Sequence, residues 1–193
     1  MGARSLDTTL FDAMNRRKTV QWQDGSSWGY GYNDRGEVIA GARQWSDAAP
    51  VSGQQYSYSF DTIGNRTGTV TNGRAASYGA DAGNRLTTRD VPGAVDVLGT
   101  ASPLATVTVN GVSTARHGDY FYKEVPVSNG TAPTEALPEI AATRTSGTTT
   151  RTGRIFVPQT PEAFGYDFDG NQTSDGRATY TWDAENRLIG IAN

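Results

Sequence analysis

The sequence predicts an all-β protein in which antiparallel β-hairpin repeats stack into a twisted, open sheet, with a small β-subdomain inserted between them. Three observations carry this. The 193 residues hold 25 Thr, 9 Tyr and 4 Trp against 2 Lys and 2 Met, a composition that suits strands better than helices. A short motif recurs along the chain, and self-similarity is the mark of repeat architectures. No stretch carries an apolar stripe at helical spacing, while Gly, Asn and Asp punctuate the chain throughout. The expected content is more than about 35% strand and less than about 10% helix.

The repeat is read first. Phe11-Asp-Ala-Met-Asn-Arg-Arg17, Ala80-Asp-Ala-Gly-Asn-Arg-Leu86 and Trp182-Asp-Ala-Glu-Asn-Arg-Leu188 align directly. Phe60-Asp-Thr-Ile-Gly-Asn-Arg66 reads as a variant one residue longer, Tyr32-Asn-Asp-Arg-Gly-Glu37 as a degenerate relative, and Phe168-Asp-Gly-Asn171 as a shorter copy. Tyrosines stand two residues ahead of five of them: Tyr30, Tyr58, Tyr78, Tyr166 and Tyr180. Residues i and i+2 share one face of a strand. Tyr58 with Phe60, Tyr166 with Phe168, and Tyr180 with Trp182 are therefore expected to build an aromatic ladder. Asp61, Asp81, Asp169 and Asp183 are expected to cap turns by accepting backbone N–H groups. Gly64, Gly83, Asn171 and Asn186 are candidates for the positive φ such a turn needs, and Asn84 with Asn186 are assigned the special backbone. Asn65 belongs to the same turn set, and Arg66, Arg85 and Arg187 restart a strand where they can cover a ring or pair with an Asp.

Residues 91–164 break the pattern. Thr106–Val109 and Val112–Thr114 flank Asn110-Gly111, a strong hairpin signal. Tyr120–Val127 reads as a strand whose Pro126 argues for an edge. Residues 131–139 read as a loop, Thr143–Thr152 as extended, and Arg154–Val157 as a short strand. The expected organisation is a repeat segment over 1–90, an inserted β-subdomain over 91–164, and a repeat segment over 165–193 continuing the sheet.

Tyr166-Asp-Phe-Asp-Gly-Asn-Gln-Thr-Ser-Asp-Gly176 followed by Tyr180–Leu188 resembles the Rhs/YD-repeat family, which includes bacterial polymorphic toxins and teneurin ectodomains. The resemblance is specific over 166–188, good over 58–86, weaker over 11–38 and absent from 91–164. It implies sheets that spiral into a hollow shell, which in the toxins encloses a C-terminal effector. The Asp-Pro core motif at which toxin members cleave themselves is missing from these 193 residues, and no toxin domain is expected within them. The resemblance therefore implies a structural shell segment whose partners are the rest of a longer chain or its toxin cargo. It also implies a secreted or cell-surface setting as part of a larger bacterial protein. Open strand edges near Leu10–Phe11 and Arg187–Ile191 point to self-association.

Functional chemistry is limited by what the chain lacks. Zero cysteines exclude thiolate sites, and the single histidine, His117, excludes any site needing two. A Ser/His/Asp triad has no Gly-x-Ser-x-Gly elbow to support it. Asp167, Asp169, Asn171, Thr173 and Asp175 suggest calcium, but an EF-hand loop requires Gly and Glu where Gln172 and Ala178 stand. No enzyme activity, metal or cofactor is expected. With 17 Lys+Arg against 20 Asp+Glu the net charge is −3, which is not the footprint of a nucleic-acid binder. No apolar run is long enough to suggest membrane insertion, and Met1–Lys18 lacks the apolar core of a secretory leader. The second functional class is a surface module for carbohydrate or a partner protein, using Trp22, Trp28, Tyr30, Tyr32 and Trp45 as stacking platforms. The asparagines of the sequons Asn65-Arg-Thr67, Asn129-Gly-Thr131 and Asn171-Gln-Thr173 matter only in a eukaryotic secretory context.

Overall fold

The computed structural model describes residues 8–192; Met1–Asp7, the start of the stretch read for leader character, and Asn193 lie outside the described residues. Strand makes up 58% of the described residues and helix none; the sheets are antiparallel and open. The chain divides into two compact units, residues 1–75 and 76–193.

The first unit is an up-and-down meander. Strands β1 (Thr8–Phe11), β2 (Arg17–Gln21), β3 (Ser27–Tyr32), β4 (Val38–Gln44), β5 (Pro50–Phe60) and β6 (Arg66–Thr71) pair in chain order. Antiparallel neighbours with short connections need no crossover, so the order follows from the turns alone. Alternation sorts the side chains into two unlike faces. One carries Trp28, Tyr30, Arg43 and Tyr56, and the other carries Gly29, Ala40, Ala42 and Ser57. Buried apolar side chains among the described residues of this unit are only Val20 and Val51. The sheet is held by ring packing instead. Tyr30, Gly41 and Tyr56 lie opposite one another across β3, β4 and β5. Trp28 stacks on Tyr30 and Tyr56 at centroid distances of 6.2 and 6.0 Å. Gly41 leaves the rings their room: a Cβ there would lie 3.9 Å from both Trp28 Cζ3 and Tyr30 Cδ1.

The second unit begins within β7 (Arg74–Ala80), which is followed by β8 (Leu86–Arg89). Nine short strands then form the interruption: β9 (Ala94–Thr100), β10 (Thr106–Val109), β11 (Val112–Ser113), β12 (Ala115–His117), β13 (Tyr120–Pro126), β14 (Thr134–Ala136), β15 (Glu139–Arg144), β16 (Gly147–Thr152) and β17 (Ile155–Val157). The chain returns as β18 (Glu162–Ala163), β19 (Gly165–Tyr166), β20 (Gln172–Ser174), β21 (Thr179–Trp182) and β22 (Leu188–Ala192). β18 pairs with β8, and the last four strands form a sheet in chain order.

The interruption makes sheets of its own, β12-β13-β9, β11-β10-β15-β16 and β14-β17. Val97, Ala105, Val107, Val109 and Phe121 are buried together, with Ile140 and Ala142 packed against them. Val95, Ala136 and Val157 form a second cluster. Asn129 is buried and works as a knot: its Nδ2 donates to the Val91 and Pro158 carbonyls at 3.0 and 2.8 Å, and its own carbonyl accepts the Thr160 N–H at 2.9 Å.

Two local readings need correction. Pro126 is not on an edge strand, since β13 is the middle strand of its sheet. It sits where β12 has already ended, so its missing N–H faces no partner strand; β12 pairs only with Tyr120–Tyr122. Residues 131–139 are not all loop, because Thr134–Ala136 pairs with Ile155–Val157. Asn110-Gly111 does turn the β10–β11 hairpin, with φ of 50° and 75°, and a second such turn, Asn72-Gly73 with φ of 52° and 85°, follows β6.

Candidate functional site

The recurring chemistry of the chain is concentrated in its turns. Six hairpins open on an Asx residue: Asp12, Asn33, Asp61, Asp81, Asp167 and Asp183. In each, the Asx N–H donates to the carbonyl four residues on, and the residue three on donates back to the Asx carbonyl. That third residue always has positive φ: Asn15 59°, Gly36 83°, Gly64 96°, Asn84 63°, Gly170 89° and Asn186 59°. Only Gly and Asn take this left-handed backbone routinely, which fixes the residue type.

The side chain of the opening Asx completes the turn. Asp81 Oδ1 accepts the Gly83 and Arg85 N–H groups at 2.8 and 3.0 Å, while Oδ2 accepts Arg85 Nε at 2.8 Å. The same three bonds recur at Asp12 with Met14 and Arg16 and at Asp183 with Glu185 and Arg187. Asp61 and Asp167 use Asn65 and Asn171 as the fourth-residue donor. At Asn33 the polarity reverses, and its Nδ2 donates to Glu37 Oε2. The pair at these two positions is therefore always donor with acceptor, whichever residue carries which role.

These bonds hold the carboxyls below the ordinary value of 3.8. The Arg16 N–H is the largest cause at Asp12, the Arg85 N–H at Asp81 and the Arg187 N–H at Asp183. The Asn171 amide leads at Asp167. At Asp61 burial pushes upward, and hydrogen bonds from Asn65 and Ile63 outweigh it. Acceptor bonds from N–H groups favour the ionised form.

Register is constant too. The residue before the Asx pairs with the fifth after it: Phe11 with Arg17, Tyr32 with Val38, Phe60 with Arg66, Ala80 with Leu86, Tyr166 with Gln172, and Trp182 with Leu188. A bulge follows in all six, and the residue two before the Asx pairs with the seventh after it. These second pairs are Leu10–Thr19, Gly31–Ala40, Ser59–Gly68, Gly79–Thr88, Gly165–Ser174 and Thr181–Gly190. Glycine recurs there because the bulge crowds the pair. A Cβ on Gly79 would lie 2.6 Å from Thr88 Oγ1, and one on Gly165 2.6 Å from Ser174 Oγ.

Neighbouring hairpins address one another in a fixed way within each unit. When a hairpin pairs with the next, the seventh residue after the first Asx lies opposite the fourth residue before the second. Thr19 faces Gly29 and Ala40 faces Ser57 in the first unit; Thr88 faces Ala163 and Ser174 faces Thr179 in the second. Arg16 lies over the Tyr32 ring at 4.5 Å and donates to the Asn33 carbonyl, as Arg85 lies over Tyr166 at 4.9 Å and donates to the Asp167 carbonyl. The aromatic before the next Asx reaches back to the carbonyl five residues after the previous one: Tyr32 to Arg17 at 2.7 Å, Tyr166 to Leu86 at 2.9 Å, and Trp182 Nε1 to Gln172 at 2.8 Å. Phe60 has no such donor, and there Arg35 bonds the Asp61 carbonyl at 2.5 Å.

The aromatic residues read as a binding platform are only partly brought together, Trp28 stacking on Tyr30. Trp28 and Tyr30 are in the stack over Gly41, Tyr32 is under Arg16, and Trp45 lies beside Arg43 at 5.8 Å. Trp22 and Trp45 open a second kind of turn at the other end of the meander, with φ of 80° at Gly25 and 66° at Ala48. There the Asp sits two residues into the turn, and Asp24 and Asp47 accept the Ser26 and Ala49 N–H groups. Trp22 remains 43% exposed.

The expected ladder is corrected in one hairpin. Phe168 is fully exposed, and Asp169 is not the cap. Asp167 is, so Tyr166 precedes the Asx and Phe168 projects from the turn. The Tyr-Asp-Phe-Asp sequence offers two frames, and only the first places Gly170 three residues after the cap. For the same reason the left-handed residues are Asn84 and Gly170, not Gly83 and Asn171. The Phe60–Arg66 copy is not a longer turn, since Gly64-Asn65 fills the positions of Asn-Arg elsewhere. Tyr58 lies under Arg66 at 5.1 Å, Tyr78 pairs with Arg89, and Tyr180 donates to Asp175 Oδ2 at 2.6 Å. Asp175 caps its own turn through the Arg177 and Ala178 N–H groups, so Asp167 and Asp175 serve two separate turns. The sequon residues Asn65, Asn129 and Asn171 each commit Nδ2 to internal acceptors.

No family model matches the sequence, and no curated protein matches it. Among solved structures, the chain is similar to "Crystal Structure of TcdB2-TccC3-Cdc42" and "Crystal Structure of TcdB2-TccC3-TEV", each at 10% identity, with TM-scores of 0.41 and 0.40. Each match covers 95% of this chain and 10% of the other, so this chain spans about a tenth of their length.

Proposed function

We propose that the chain is a non-enzymatic structural segment of an Rhs/YD-repeat shell, of the toxin-delivery type, that encloses or displays cargo. The observation that carries this reading is the identity of the six Asx hairpins in backbone, cap and register. Their carboxylates, the groups a hydrolase would use for acid–base work, each accept two backbone N–H groups and one side-chain donor, or the equivalent at Asn33. A group so engaged is a turn element, not a proton shuttle. The proposed partners are the remainder of a longer chain and its cargo, in a secreted or cell-surface bacterial protein. The test is to tag the chromosomal copy in its source and size the native polypeptide. A product much longer than 193 residues, hollow by electron microscopy, is expected; a free-standing chain of 20.6 kDa overturns the reading.

A second reading is recognition of carbohydrate or protein through aromatics, which the exposed Trp22 ring favours. A glycan array with wild type and Trp22→Ala tests it. Binding lost in the variant supports recognition, and no binding in either removes it.

A further inference from the structure

Within the interruption, the β11-β10-β15-β16 sheet reaches past the core it covers. Val109, Ile140 and Arg151 stand opposite one another across β10, β15 and β16, and Val107, Ala142 and Thr149 form the next row. Residues opposite one another share a face. On β10 that face is buried with Phe121 and Val97, whereas every residue of β16 is exposed. Beneath the overhang lies a cleft of about 560 Å³, with Phe121, Ala105 and the Gly99–Ser102 stretch on one side and the β15–β16 hairpin on the other. Gly99 gives the Phe121 ring its seat, since a Cβ there would lie 3.0 Å from it.

The cleft is apolar at its floor and positive at its rim. Arg144 and Arg151 line it, and no Asp or Glu does. Neither arginine has an ion pair among the described residues; Arg151 Nη1 donates to the adjacent Thr150 carbonyl at 3.1 Å. Behind the cleft, Arg116 Nη2 donates to the Ala101 and Ser102 carbonyls, while its Nη1 is buried with no hydrogen-bond partner among the described residues. The cleft also borders an open strand edge that lies inside the chain, between β15 and β17. Gly153 N–H donates to the Pro138 carbonyl, and the Glu139 carbonyl accepts from Asn110 on the far side. Ladder bonds alternate along an antiparallel pair, so Thr148, Thr150 and Thr152 turn their N–H and C=O groups away from β15.

We infer that this edge and cleft form a docking site for an acidic, extended peptide segment, which adds to β16 as a fifth strand of the sheet. Main-chain bonds to Thr148, Thr150 and Thr152 hold the segment, and alternate side chains enter the cleft. Arg151 pairs with Ile140 and Arg144 with Gly147, so the two arginines stand four positions apart, about 13 Å at the rise of a strand. Carboxylates at the first and fifth residues of the segment meet them, and an apolar third residue rests over Ala142 and Phe121. Gly147 puts no side chain between Arg144 and the edge, and a Cβ there would meet nothing within 4 Å. An inward charge on an edge strand discourages apolar partners; an acidic one converts it to an attraction. A second copy docking through its own β16, which carries no acid, would gather four arginines on one face. The site goes beyond the shell reading and does not rest on it.

The test titrates the whole chain into three fluorescein-labelled peptides and follows anisotropy. Their central residues are Glu-Thr-Val-Thr-Glu, Lys-Thr-Val-Thr-Lys, and Glu-Glu-Thr-Val-Thr, the last placing its acids on opposite strand faces. The first is expected to bind with Kd of about 10–500 μM and the others at least about tenfold more weakly. Arg144→Gln and Arg151→Gln, both on the surface, should each weaken the first peptide about fivefold, the size of an exposed charge pair. Thr150→Pro removes an outward N–H and spares the β15 ladder, a change an edge strand tolerates; it should abolish binding, with circular dichroism checking the fold. No binding of the first peptide up to about 1 mM, or equal binding of the lysine peptide, overturns the inference. So does binding untouched by Thr150→Pro, as for an acid held in the cleft alone, or wild-type self-association that Thr150→Pro abolishes. None of these results depends on the native polypeptide's length, so this test and that of the shell reading fail separately.

Discussion

The repeats and the interruption between them are both antiparallel β structure, yet they are stabilised by different means. The first unit buries two apolar side chains among its described residues, Val20 and Val51, and otherwise relies on turns, caps and ring stacking. The interruption buries Val95, Val97, Ala105, Val107, Val109, Phe121, Ala136 and Val157 in two clusters. One is specified hairpin by hairpin, the other by a core that needs distant strands to meet. Local specification explains how a sheet with so thin an interior keeps one register: each hairpin sets its own before its neighbour arrives.

The comparison breaks most visibly at Phe121. Phe121→Ala is expected to cost the interruption roughly 3–5 kcal/mol, read from valine methyl resonances in denaturant. The fluorescence of the tryptophans, none of which lies between residues 91 and 164, should keep its transition. If both signals shift together, the two regions unfold as one and the distinction falls. Asn129→Ala is next, at roughly 1–3 kcal/mol, because the Val91 and Pro158 carbonyls lose their donor in a buried site; a midpoint within error of wild type would show that water replaces it.

Hairpin changes are smaller and depend on backbone more than volume. Asn84→Val should cost about 1–2 kcal/mol and Asn84→Gly only a few tenths, since φ of 63° strains a β-branched residue. Equal losses would remove the left-handed residue as the determinant. Trp182→Phe, which keeps the ring and deletes the donor to Gln172, is expected to cost about 0.5–1.5 kcal/mol.

Acid sharpens the contrast without a mutation. The capping carboxyls titrate below their ordinary value, so their stabilisation is complete above it and is lost as pH falls through the lower folded values. Tryptophan signals from the repeats should therefore melt at an acidity where the methyl resonances of the apolar core persist. The reverse order would refute the assignment of the caps as the main support.

Much of this was legible in sequence because each hairpin is a local object. Asp61, Asp81 and Asp183, with Asn84 and Asn186, declare their roles through spacing of a few residues. The frame of Tyr166–Asn171 was misread because two Asp residues compete for the cap, and only the position of Gly170 decides between them. The glycine beside five of the six bulges carries no signal within its own repeat, although Gly31, Gly68, Gly79, Gly165 and Gly190 all stand at the same pair of positions. The Trp22 and Trp45 turns were missed because their Asp sits inside the turn and not at its start. Contacts between hairpins and the burial of Asn129 could not be read, since both depend on residues brought together from far along the chain.

The fixed junction offset has a consequence for how such a protein can change over evolutionary time. Consecutive Asx residues stand as little as 16 residues apart, from Asp167 to Asp183, and as much as 86 apart, from Asp81 to Asp167, yet the strands on either side meet in the same alignment. Closing the longer excursion costs only about 1.5 kcal/mol more than the shorter on chain-entropy grounds. The hairpin array thus acts as a host that accepts a guest domain between β8 and β18 without rewriting its own grammar, and a different guest, grafted between Arg89 and Glu162, inherits a ready-made seat.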